Sequence, residues 1–173
     1  ASRVATQLGV PFLIHEVFQR KGDVSTICNH VFSEVVEGRY FLRFNDDTTM
    51  LSPGWNYRAI TALRETPPHD FGLALIHDLL NERIQTHSFV SYRHREIFGH
   101  LFPLHFQNWY EDDWMSNVYP EHWRKFANVT IQHEGKPERY AIVEPPAELF
   151  RKILESSQQK LYRYCQRTGN CDI

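Results

Sequence analysis

Three oxygen-bearing side chains in a row, Asn45-Asp46-Asp47, directly follow the aromatic-rich run Tyr40-Phe41-Leu42-Arg43-Phe44. That junction constrains the fold more than any other part of the chain. A run of this length, apolar and closed by polar turn formers, reads as a buried strand. Two adjacent carboxylates at its end cannot both enter a core, because an unpaired buried charge is too costly. A cation is therefore expected against them, and hard oxygen donors favour Mg, Mn or Ca over Zn or Cu. The alternative is a solvated acidic turn.

The rest of the chain bears on that choice. With 173 residues, 42% of them hydrophobic, the chain can bury one substantial core, and a single domain over 1–173 is expected. A formal charge of −2 makes no electrostatic case for nucleic acid or an anionic membrane surface. No apolar run approaches the roughly 20 residues that span a bilayer, so no membrane span is expected, and no signal peptide opens the chain. Of three cysteines, Cys165 and Cys171 sit six apart in a polar tail and can close a small disulfide loop, whereas Cys28 reads as a buried free thiol. Asn128-Val129-Thr130 is a glycosylation sequon. Together these point to the secretory pathway, either the Golgi lumen or outside the cell.

The pattern of elements is α/β. Val10 to Ile14 reads as a strand start, Val24 to Glu37 as a helix capped by Asp23 or Ser25, and Tyr40 to Phe44 as the next strand. Strand, helix, strand with short links suggests a parallel crossover unit. In open sheets of that kind sites gather at the carboxyl ends of strands, where Asn45, Asp46 and Asp47 fall. Further strands are expected at Phe71–Ile76 and Thr86–Tyr92, and as a hairpin from Val129–His133 and Arg139–Val143. Short helices are expected over Trp55–Leu63, Arg93–Phe98 and Trp114–Val118. A long helix over Pro146–Tyr164 opens a C-terminal region, 146–173, that carries the cysteine tail.

A second acidic group, Glu111-Asp112-Asp113, lies between Trp109 and Trp114. Aromatic rings stack on the apolar faces of sugars, and a carboxylate beside them can take a proton from a sugar hydroxyl. The competing reading is an aromatic core with acids capping the next helix. Of the ten histidines, His133 stands out because it ends an expected strand downstream of both acidic groups and can supply a late metal ligand. His87, His94 and Arg95 are candidates for lining a substrate cleft. The cysteine spacing fits no zinc set, and no phosphate loop, Gly-x-Ser-x-Gly elbow or His-Glu-x-x-His motif is present.

Taken in order, Phe44-Asn45-Asp46-Asp47-Thr48, Pro53-Gly54-Trp55, Thr86-His87-x-Phe89-Val90, His94-Arg95-x-Ile97-Phe98-Gly99, Phe102-Pro103-x-x-Phe106-x-Asn108-Trp109-Tyr110-x-Asp112-Asp113-Trp114 and Arg139-Tyr140 form a series that resembles the nucleotide-sugar-dependent glycosyltransferases of the GT-A fold. The resemblance spans about residues 10 to 145. It implies a GT-A-like, mixed but mostly parallel sheet flanked by helices. It also implies that the chain is the C-terminal part of such a domain, in a larger polypeptide whose upstream segment binds the nucleotide.

By the same resemblance, Asn45-Asp46-Asp47 matches the Asp-x-Asp motif that holds Mn2+ or Mg2+ against the donor diphosphate. Asp47, Asn45 and His133 are then the metal ligands, with Asn45 standing where the family has a first aspartate. Glu111-Asp112-Asp113 matches the acidic motif that supplies the base in inverting members, Asp112 first and Asp113 next. Gly54 and Trp55 would position the donor sugar, His87 and Arg95 would line the substrate cleft, and Trp109, Tyr110 and Trp114 would form the acceptor platform. The implied partners are a UDP-linked sugar donor, a carbohydrate acceptor and the rest of the larger polypeptide, without nucleic acid. The implied activity is hexosyl transfer with inversion. Rival readings are a catalytically inactive glycosyltransferase-like module, a carbohydrate-binding module and, more distantly, a metal-dependent hydrolase.

Overall fold

The computed structural model describes residues 22–35, 37–134, 144–169 and 171. In chain order the described elements are α1 (Val24–Glu34), β1 (Tyr40–Leu42), β2 (Thr48–Met50), α2 (Trp55–Glu65), β3 (Leu73–Asp78), β4 (Phe89–Ser91), α3 (Tyr92–Phe98), α4 (Glu111–Val118), a 3₁₀ turn (Glu121–Trp123), β5 (Arg124–His133) and α5 (Ala147–Thr168). The strand expected over Val10–Ile14, and with it the crossover unit, lies outside the described residues, as does the hairpin partner Arg139–Val143.

The described strands form one mixed sheet in the order β1-β4-β3-β5-β2. Only β3 and β5 run parallel; β1 with β4, β4 with β3, and β2 with β5 are antiparallel. The expectation of a mostly parallel sheet is therefore corrected. A parallel pair needs a crossover of a dozen or more residues, and the chain between β3 and β4 is a short, largely polar loop that returns the strand in the opposite sense. The edge strand β2 has no apolar alternation, and pairing with β5 is what makes it a strand.

Both faces of the sheet are covered. Along β3, Leu73 and Leu75 point to one side and Ala74 and Ile76 to the other. On one face, α2 places Ala59 and Leu63 against Ala74, Ile76, Phe89, Ala127, Val129 and Ile131. On the other, α1, α3, α4 and α5 bury an aromatic-rich core around Phe71, Phe98, Phe102, Trp114 and Tyr119. Burial on both faces explains why β3 reads as a continuous apolar run.

Local chemistry sets the helix ends. Asp23 accepts a hydrogen bond from Thr26 N at the start of α1, and Ser91 accepts one from Arg93 N at the start of α3. Gly99 ends α3 in the left-handed conformation at φ 77. Helix α1 stops at Glu34, three residues before the expected end, and Val35 is exposed. Helix α5 extends to Thr168, and two i,i+4 ion pairs, Arg151–Glu155 and Glu148–Lys152, line its exposed face. Leu149 is exposed, while Ile153 and Leu161 are buried. Beyond α5, Cys165 and Cys171 form a disulfide with Cα atoms 5.1 Å apart; Cys28 is free and half-buried. Among the described residues no helix is long and apolar enough to cross a membrane.

The strand directions also prepare a site. β1, β3 and β5 point the same way, and β2 and β4 point the opposite way. The residues after β1, at the ends of β3 and β5, and before β2 and β4 therefore all emerge at one edge of the sheet.

Candidate functional site

Arg43 (after β1), Asp47 (before β2), Asp78 (ending β3), Thr86 and His87 (before β4) and His133 (ending β5) share that edge. His133 Nε2 donates to Asp47 Oδ1 at 3.0 Å, and Glu134 N donates to the Asp47 carbonyl at 2.8 Å. Asp47 is 9% exposed. The other ring nitrogen of His133 lies 4.0 Å from Asp78 Oδ2. That oxygen accepts from Thr86 Oγ1 at 2.6 Å, and Thr86 Oγ1 in turn accepts from His87 Nδ1 at 2.9 Å. His87 Nε2 then accepts from Thr48 Oγ1 at 2.9 Å. Burial pushes the His87 imidazole down to about 4, so it is neutral, as this donor order requires.

Facing this edge is the loop that leads into α4. Asn29 on α1 clamps it, its side chain donating to Phe102 O and accepting from Leu101 N and Phe102 N, each at 2.8 Å. Tyr110 has φ 72, a left-handed conformation that is uncommon for a non-glycine residue, and it opens α4 with Glu111, Asp112 and Asp113 in the first turn. Ser116 Oγ accepts from Gln85 N at 2.8 Å and donates to Asp112 O at 2.6 Å, tying α4 to the strap before β4. Burial raises the Glu111 carboxyl above its usual range. It pushes Asp112 from 3.8 up to about 7, against the opposing pull of Arg43. Asp113 lies 3.7 Å from the exposed Arg83.

Between the two walls runs a cleft of about 1020 Å³. Asn45, Asp46, Asp47 and His133 line it, as do Trp109, Tyr110, Glu111, Asp112 and Asp113. The two acidic groups, 64 or more residues apart in sequence, thus open on a common space. Trp109, which lines the cleft, is 39% exposed.

Several residues expected at the site lie elsewhere. Trp114 is fully buried among Phe98 and His94, and its indole N–H donates to Ser157 Oγ at 3.2 Å. It is a core residue, not part of a platform, because it projects from α4 toward α5. Trp114→Ala is expected to cost about 3–5 kcal/mol of unfolding free energy, measured by chemical denaturation, as for other buried aromatic truncations. Loss of ligand binding at unchanged stability would contradict this placement.

His94 is also a core residue, donating from Nε2 to Leu101 O at 3.0 Å and accepting at Nδ1 from Tyr119 Oη at 2.8 Å; burial holds it neutral, down to about 3. Arg95 is not among the cleft-lining residues. It donates to Phe32 O and Val35 O, and lies over the Phe32 and Phe41 rings, binding the carbonyl end of α1. Gly54 and Trp55 do not line the cleft; Gly54 caps α2 at φ 64, and Trp55 packs half-buried against the second core. His87 sits behind the cleft wall, 1% exposed. Asn128 is exposed on β5 at φ 52.

Sequence reasoning missed Arg43, Asp78 and Thr86. A lone arginine within an apolar strand was the available signal for Arg43. For Asp78 it was the strand-end rule that had singled out Asn45 to Asp47.

Among the described residues, no group of three or more His, Cys, Asp or Glu is arranged to hold a metal. Asp47 and His133 nonetheless supply an oxygen and a nitrogen donor 3.0 Å apart at the cleft wall. A carboxylate suits Mg2+ or Mn2+, whereas an imidazole suits softer divalent ions, so this donor pair fits Mn2+ better than Mg2+. No family model matches the chain, and neither does any curated protein or any solved structure.

Proposed function

We propose that the chain is the GT-A-like domain of an inverting glycosyltransferase, which moves a sugar from a nucleotide-sugar donor to a carbohydrate hydroxyl. The observation that carries this reading is that Asp47 with His133, and Asp112 with Trp109, line one cleft. Asp47 and His133 would hold Mn2+ or Mg2+, which when bound neutralises the departing diphosphate. Asn45 and Asp46, on the same wall, would contribute through water or the donor.

On the opposite wall, the Trp109 ring offers an apolar face for an acceptor sugar and Tyr110 fixes the turn that aims α4. Asp112 takes the proton of the acceptor hydroxyl. The acceptor oxygen attacks the anomeric carbon, and the bond to the diphosphate breaks with its electron pair leaving on the diphosphate. A base near pH 7 suits that work. Asp113 is the second carboxylate at this wall, and Glu111 is its buried neighbour. The exposed sequon asparagine and the Cys165–Cys171 disulfide fit passage through a secretory lumen.

One observation favours a second reading. The Asp47 carboxylate is already partnered by His133, which suits a metal-free carbohydrate-binding module that uses Trp109. Calorimetric titration of Mn2+ with uridine diphosphate into the full-length protein separates the two. The transferase reading expects Mn2+-dependent binding that Asp47→Ala weakens at least about tenfold. Nucleotide binding indifferent to Mn2+ and to Asp47→Ala would set that reading aside.

A further inference from the structure

Arg43 is the one charged residue in the run Tyr40–Phe44, and the fold turns it toward the acids of α4. Its backbone N donates to Ser88 O at 3.0 Å, which fixes where the side chain starts. Its Nη1 donates to the Thr86 carbonyl at 2.8 Å, and the same nitrogen lies 3.8 Å from Asp112 Oδ1. The two side chains are only 12% and 22% exposed. Asp112 Oδ1 takes no hydrogen bond from any described residue. The guanidinium therefore acts on the carboxylate by charge across a gap rather than by a tight fork.

That spacing matters chemically. A bidentate arginine beside a carboxylate lowers its pKa by about 1–3 units and occupies both oxygens, which would make a poor base. Without any cation, burial beside Glu111 and Asp113 would drive the carboxyl to its neutral form. Among the described residues, Arg43 after β1 and His133 at the end of β5 favour the charged form of Asp112, and Glu111 and Asp113 on its own helix favour the neutral one; the Cys28 thiol of α1 interacts with Arg43.

We propose that Arg43 is a positioning residue for Asp112: anchored on the Thr86 carbonyl, its guanidinium faces the carboxylate across 3.8 Å and keeps it charged and open to an acceptor hydroxyl. The proposal rests on the reading of Asp112 as the proton acceptor. It has consequences that can be measured without turnover.

The test is the pH titration of the Asp112 carboxyl carbon by NMR in the full chain, with the resonance assigned by its loss in Asp112→Asn. Arg43→Gln keeps an N–H donor for Thr86 O but removes the charge. It is expected to raise the Asp112 midpoint by about one pH unit or more. Arg43→Lys keeps the charge and is expected to hold the midpoint within about half a unit of the parent. In transfer assays Arg43→Gln should lose about fivefold or more in kcat/KM at pH 7, about tenfold well below pH 7, and recover as the pH rises, following the fraction of ionised base.

An unchanged Asp112 midpoint in Arg43→Gln overturns the proposal. Should Arg43→Gln fail to fold, Arg43→Met read against Arg43→Lys decides the same point. A fully active Asp112→Asn would remove the base assignment instead, while the titration of Asp112 would still decide what Arg43 does to it.

Discussion

Asp112→Asn is expected to lower kcat by about 10²–10⁴-fold, the range a general base contributes, with the affinity for Mn2+ and uridine diphosphate unchanged. Asparagine keeps the shape of the side chain, so α4 and its ties to Ser116 should persist, and the loss isolates the missing proton acceptor. In the parent, kcat/KM should rise roughly tenfold per pH unit up to about 7 and then level, because only the ionised carboxylate accepts a proton. Transfer by Asp112→Asn at the parent rate would show that another group is the base.

The same raised carboxyl has a stability consequence of definite sign. Its folded value lies above its unfolded one, so between about 4 and about 7 the folded chain binds more protons at this site. Stability from this group is therefore fully present at low pH and falls as the pH rises through that window. That is the opposite of a salt-bridged surface aspartate, and it is the cost of holding a base in a largely buried position.

The largest expected effect on folding is that of Gly72→Ala. Gly72 precedes β3 with φ 97, a conformation side chains rarely adopt, and a Cβ there would run into the Trp123 carbonyl, where the chain enters β5. Leu73 pairs with Arg124 at this point, so relief requires parting the two central parallel strands. A loss of roughly 4 kcal/mol or more is expected in chemical denaturation. Gly99→Ala is the control: it shares a positive φ of 77 but has open space around it, and should cost about 1–2 kcal/mol. Equal losses in the two variants would show that the close approach to Trp123 is unimportant.

Much of the fold was legible in local pattern. The apolar positions of Leu73 to Ile76, the cap at Asp23 and the periodicity of α5 depend on neighbours a few residues away, so spacing reveals them. Thr48 to Met50 is different: nothing in Thr-Thr-Met marks a strand until β5 lies beside it. Trp114 misled for a related reason. An aromatic next to acids looks the same in sequence whether its ring faces a cleft or a core, and only the packing of α4 on α5 turns it inward. His94 and Arg95 follow the same logic, one satisfied by Leu101 and Tyr119 and the other spent on the carbonyls of α1.

The sequence by itself determined the chemistry available to this protein: two acidic groups, a late histidine and exposed-capable aromatics, placed at strand and helix ends by hydrophobic periodicity. Only the tertiary structure decided which of them meet. Strand direction brings Arg43, Asp47, Asp78, Thr86 and His133 to one edge, and the Ser116–Gln85 tie holds α4, with Glu111–Asp113 in its first turn, against the strap before β4. Such encounters depend on contacts between residues up to 86 apart. Their geometry is set by the whole sheet and its two cores, which no local window of sequence contains.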